Sequence, residues 1–116
     1  MPRKKVPSKN VPSKKVPIKK VAVTFADCKP LFFAMGETVR QDIIMLLAQV
    51  EELNVSQMAD KITLSRPAIS HHLKILRQAG LIGLRREGTE NFYSLTIDNA
   101  LGLLTRFVDD VENCED

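Results

Sequence analysis

Residues 65–81 read SRPAISHHLKILRQAGL, and their spacing decides the fold. Ser65 is an N-cap candidate, because its hydroxyl can accept a bond from a free first-turn N–H. Pro67 falls in the first turn, where a missing N–H costs least. Gly80 is placed to end the helix, since glycine readily takes the left-handed conformation found just past a last turn. At about 100° per residue, Arg66, Arg77, Ser70, Lys74, Gln78 and His71 fall within an arc of roughly 140°. Ala68, Ile75, Leu76, Ile69 and Leu73 fill the other side. One face is therefore core, and the other is basic and hydrogen-bonding with no carboxylate on it. An ordinary solvated face mixes Glu with Lys and Arg, because i,i+4 pairs of opposite charge stabilise a helix. The missing acids favour a polyanion-binding face over a merely solvated one.

The whole chain supports that choice. Its 116 residues suit one small domain. Residues 1–20 hold eight of the 17 Lys/Arg and no acid, which leaves nine basic against 14 acidic residues in the rest. The folded part is thus acidic, yet between Asp60 and Glu87 there are six basic side chains and no acid. A positive stripe on an acidic domain is the electrostatic footprint expected for nucleic acid. The basic N-terminus has no apolar segment of the kind a secretion signal carries. No apolar run approaches the ~20 residues of a spanning helix, so no membrane partner is expected. Two cysteines without a CxxC pattern fit a reducing cytoplasm.

Working outward, residues 53–55 suit one short strand, and Ser56 suits the cap of a short helix reaching Lys61. That helix, a turn at Thr63 and Leu64, and the polar-faced helix make a helix-turn-helix. After Gly80 the period changes from 3.6 to 2. Residues 81–86 and 91–95 alternate around Glu87-Gly88-Thr89-Glu90, which reads as a β-hairpin with Arg85 and Arg86 at its base. On the N-terminal side, Thr38 and Gln41 form a capping-box pattern for a helix over 38–49. Asp27 can cap a first helix over 27–35. Residues 6–21 repeat Val-Pro-Ser/Ile-Lys with a proline every five residues. This predicts an extended basic arm over 1–23, followed by the folded domain at 24–116. The arm either adds phosphate contacts or is a solubilising tail.

The last helix is expected over 98–113. Leu101, Leu104, Val108 and Val111 form one apolar stripe, and Phe107 lies on a second. Two stripes exceed what a small domain buries alone. Together with Leu31 and Phe32 of the first helix they predict a homodimer interface; the plain alternative is a deep monomer core. Cys28 and Cys114 lie on these same two helices. They suit a redox bridge if their Cα atoms come within about 7 Å, and are otherwise unrelated thiols. His71 lies on the polar edge, whereas His72 lies in the apolar arc and suits a packed, hydrogen-bonded histidine. Adjacent histidines about 100° apart on a helix cannot chelate one ion. No nucleophile with a base and orienter, no phosphate loop and no inward carboxylate pair is present, so no enzyme and no cofactor is expected.

These residues resemble the ArsR/SmtB family of bacterial winged-helix repressors. The likeness lies in ETVRQDIIMLL at 37–47 and in LNVSQMADKITLSRPAISHHLKILRQAGLIGLRREGTENFYSL at 53–95. It implies a mainly α fold with a small β-wing: a winged helix-turn-helix ordered α-α-α-α-β-β-α, dimeric through its first and last helices. It also implies an imperfect palindrome over its own promoter as the binding site, with groove-reading positions at Arg66, Ala68, Ser70 and His71. Many members sense metal through a Leu-Cys-Val-Cys pattern opening the third helix; here it reads Leu53-Asn54-Val55-Ser56. Others use Asp and His on the last helix, where this chain has only acids. No inducer metal is therefore expected at either place.

The expected function is that of a homodimeric, sequence-specific repressor acting on double-stranded DNA in the bacterial cytoplasm, at the nucleoid. Ser65 caps the groove helix, Arg66 suits a bidentate contact with guanine, and Lys74, Arg77 and Arg85 or Arg86 suit phosphates. The alternatives are a winged-helix module that coats DNA or docks a protein without reading sequence, or a thiol-responsive repressor using Cys28 and Cys114.

Overall fold

The computed structural model describes residues 15–113. Its order is α1 (Ile18–Met35), α2 (Thr38–Leu47), β1 (Leu53–Asn54), α3 (Val55–Ala59), α4 (Arg66–Gln78), β2 (Ile82–Glu87), β3 (Glu90–Leu95) and α5 (Ile97–Glu112). The mainly helical winged helix-turn-helix expected from the sequence is present. Three strands form one antiparallel sheet in the order β1-β3-β2. Leu53 pairs with Tyr93, which ties the start of the helix-turn-helix to the hairpin.

The groove helix α4 forms for the reasons its sequence gives. Ser65 Oγ accepts the Ala68 N–H at 3.3 Å, Pro67 occupies the first turn, and Gly80 follows the helix at φ +78°. Ile69, Leu73 and Leu76 are fully buried and meet Ile43 and Leu47 of α2 and Met58 of α3 in the core. Removing the cap tests its share: Ser65→Ala lowers stability by about 1 kcal/mol, read as a shift in the urea midpoint.

Two other caps differ from expectation. Helix α3 is capped by Asn54 rather than Ser56. The Asn54 side chain accepts the Gln57 N–H, and the Gln57 side chain accepts the Asn54 N–H, both at 2.8 Å. Asparagine satisfies a free donor as well as serine does, and the paired Gln makes this the stronger box. Helix α2 is capped by Glu37, whose carboxylate accepts the Arg40 N–H at 2.9 Å.

The largest difference is α1. It starts at Ile18, so 18–23 of the expected arm are helical, and residues 1–14 of that arm lie outside the described residues. Pro17, the last proline of the repeat, stands at the N-cap. Val21, Thr24, Cys28, Leu31 and Ala34 then form one buried stripe. Pro30 sits mid-helix, where it has no N–H for the carbonyl four residues back. Packing of α1 along α5 outweighs that loss. The two helices run antiparallel: Lys20 Nζ lies 3.6 Å from Asp110, and the Cys28 thiol donates to the Leu103 carbonyl at 3.5 Å.

Candidate nucleic-acid interface

The polar side of α4 is as the helical wheel requires. Ser65, Arg66, Ser70, His71, Lys74 and Arg77 are all exposed, and Ala68 is half-buried at the border with the core. Among the described residues, the side chains of Arg66, Lys74 and Arg77 form no hydrogen bond or ion pair within the chain. Their charges are open to a partner. Arg66 also lines a polar cleft with Asn54 and Ser56 near the start of α3 and Thr89, Glu90 and Asn91 of the wing. Thus helix start and wing face one channel.

The two wing arginines are not equivalent. Arg85 donates to both oxygens of Glu52 and to Glu87 at 2.7 Å, and its guanidinium lies 4.8 Å from the centre of the Phe92 ring. These bonds push its pKa further up and hold Glu52 below the usual carboxylate range. Arg85 is ion-paired where it stands and braces the wing. The Arg86 side chain donates to Asn91 Oδ1 at 3.1 Å. At the wing tip Glu87 and Glu90 are directly paired, which by itself is repulsive. Each has its own donor: Arg85 for Glu87, and Asn54 Nδ2 for Glu90 at 2.7 Å.

The expected dimer residues separate into two groups. Leu31 is 1% exposed and belongs to the core, so it cannot meet a partner; its helix turns it inward in line with Cys28 and Ala34. Leu104 packs half-buried against the same core. Phe32 (39%), Leu101 (49%) and Val108 (48%) are exposed, with Phe107 and Val111 half-buried beside them. Phe25, unforeseen because the first helix was expected to start later, joins Phe32 and Phe107 in a ring cluster with centroids 5.5 to 6.1 Å apart. Aromatics seven residues apart at 25 and 32 were the available signal.

Cys28 is fully buried. Burial pushes its thiol pKa up, the Asp27 charge adds to this, and Arg106 offsets part of it. That is the setting of a packing thiol, not of a redox nucleophile. Cys114 lies outside the described residues. Because the thiol is fully buried and its pKa is raised, Cys28 should alkylate more slowly in the native protein than in denaturant, measured by peptide mass spectrometry.

Asn54 is engaged in the α3 cap and the wing, and Asp110 is paired with Lys20. Among the described residues no three of His, Cys, Asp or Glu gather at one point. No helix among them is long and apolar enough to cross a membrane.

A model of the bacterial regulatory protein arsR family matches residues 38–83. An HTH-type transcriptional regulator of Methanocaldococcus jannaschii is 37% identical over 81 residues, covering 70% of this chain and 90% of that protein. The chain belongs to the ArsR family. The transcriptional repressor SdpR of Bacillus subtilis is 30% identical over 86 residues, 72% of this chain and 94% of its own. The solved ArsR-like transcriptional regulator from Rhodococcus sp. RHA1 superposes with a TM-score of 0.69 at 25% identity, over 78% of this chain and 82% of that one. As an ArsR-family member the chain is a DNA-binding transcriptional regulator rather than an enzyme.

Proposed function

We propose that this regulator represses transcription as a homodimer on a palindromic operator, its own promoter included, in the cytoplasm at the nucleoid. The observation that carries this is the exposed, carboxylate-free face of α4 with three unpaired cations. Arg66 reads a base edge, Ser65, Ser70 and His71 contact its neighbours, and Lys74, Arg77 and Arg86 hold phosphates. Ala68, half-buried at the edge of this face, leaves room for a base methyl. The exposed apolar face of α1 and α5 supports a twofold partner, which sets two α4 helices one turn of DNA apart, ~10–10.5 bp or a multiple. Asn54 and Ser56 in place of thiolates, and a last helix without histidine, support a regulator that does not use the α3 or α5 metal positions.

The test compares affinity for the region upstream of its own gene with affinity for random duplex at one fixed salt. A ratio well above about a thousandfold supports sequence reading. A ratio near one overturns it in favour of a module that coats DNA.

A further inference from the structure

We propose that Arg40 is a positioning residue for DNA recognition: through His72 it fixes the angle between α1, which carries the exposed aromatic face, and α4, which carries the basic one. Arg40 is 5% exposed, although its neighbours on the inward side of α2 are apolar. Its Nε donates to the Ala34 carbonyl at 2.8 Å and its Nη2 to the Phe33 carbonyl at 3.1 Å. Both carbonyls belong to the last turn of α1, and that of Phe33 also accepts the Gly36 N–H at 3.3 Å. The guanidinium also lies 5.0 Å from the centre of the Phe33 ring. Its remaining arm, Nη1, approaches His72 Nδ1 at 3.2 Å. A guanidinium has donors only, so Nδ1 must be the acceptor and the ring hydrogen sits on Nε2. Glu37 Oε1, the α2 cap, is 3.9 Å from the same nitrogen, and the His71 ring centre is 5.7 Å from that of His72. The end of α1, the start of α2 and the flank of α4 thus meet at one buried fork.

Beyond Arg40, Glu37 and His72, α4 packs into the core through Ile69, Leu73 and Leu76, and apolar contact is non-directional. Among the described residues, the hydrogen bond joining an α4 side chain to α1 or α2 is the one from Arg40 to His72. A planar fork held at three points restricts rotation in a way that leucines do not. In a twofold dimer any error in the α1–α4 angle enters twice, once in each half-site. The proposal rests on the operator reading above.

The experiment selects binding sites from a random duplex pool with the wild-type protein. It then measures two quantities at one salt: the affinity ratio of selected to scrambled duplex, and the tolerance to one extra base pair between half-sites. His72→Leu removes the acceptor; His72→Asn returns one near the place of Nδ1; Arg40→Lys keeps the charge without the fork. His72→Leu and Arg40→Lys should each lower the ratio about tenfold and relax the spacing requirement. His72→Asn should stay within about twofold of wild type. Affinity for scrambled duplex should hold throughout, because Arg66, Lys74 and Arg77 are untouched. Wild-type ratio and spacing in His72→Leu overturn the proposal, and so does equal loss in His72→Leu and His72→Asn. A wild-type pool with no enriched sequence is a different failure, since it overturns the operator reading and this proposal with it.

Discussion

Val108→Glu should convert the protein to a monomer and lower operator affinity at least about a hundredfold, because the second half-site then binds without the first. Val108 is 48% exposed on α5, beside Leu101 and the Phe25–Phe32–Phe107 cluster, and it has no part in the chain's own core. The monomer fold should therefore survive the change, with unaltered helix content by circular dichroism. In a paired surface, by contrast, the new carboxylate would lose its water without gaining a partner. Sedimentation equilibrium at micromolar concentration reads the association, and a gel-shift titration on the selected duplex reads the affinity. A wild-type protein that sediments as a monomer, or a Val108→Glu protein that stays dimeric, overturns the placement of the interface.

Arg66→Ala should cost about 1–3 kcal/mol on the preferred site and erase the preference at one position of each half-site. Arg66 stands at the first position of α4, exposed and unpaired, in the cleft shared with the wing. An arginine there can present two parallel donors to the O6 and N7 acceptors of guanine. Lys74→Ala makes the contrast. It should weaken all duplexes alike and reduce the salt slope by about one. Selecting sites with each variant distinguishes the two roles. The same preferred sequence with and without Arg66 would remove that residue from base reading.

The helix-turn-helix was legible because its signals are local and agree with one another. The Ser65 cap, Pro67, the apolar stripe and Gly80 all specify one helix, and tertiary contacts had nothing to overrule. The wing was legible from its change of period. The beginning of α1 was not, because a proline repeat and Pro30 both argue locally against a helix there. What overrides them is non-local: the antiparallel contact with α5 and the Lys20–Asp110 pair. The basic face of α4 could be drawn on a helical wheel, whereas the ion pairing of Arg85 could not. Its partner Glu52 lies 33 residues away and is brought near by the pairing of β1 with β3. Arg40 did leave a trace: a charge three and seven residues before Ile43 and Leu47, on the stripe that must face inward. A charge in that place needs partners, and α1 supplies them.

Asn54 closes α3 with one end of its amide and grips Glu90 of β3 with the other. The helix ahead of α4 and the hairpin behind it are thereby riveted, like the two cheeks of one jaw. In the proposed dimer, a signal that leaves each jaw intact would act on how the two are set against each other.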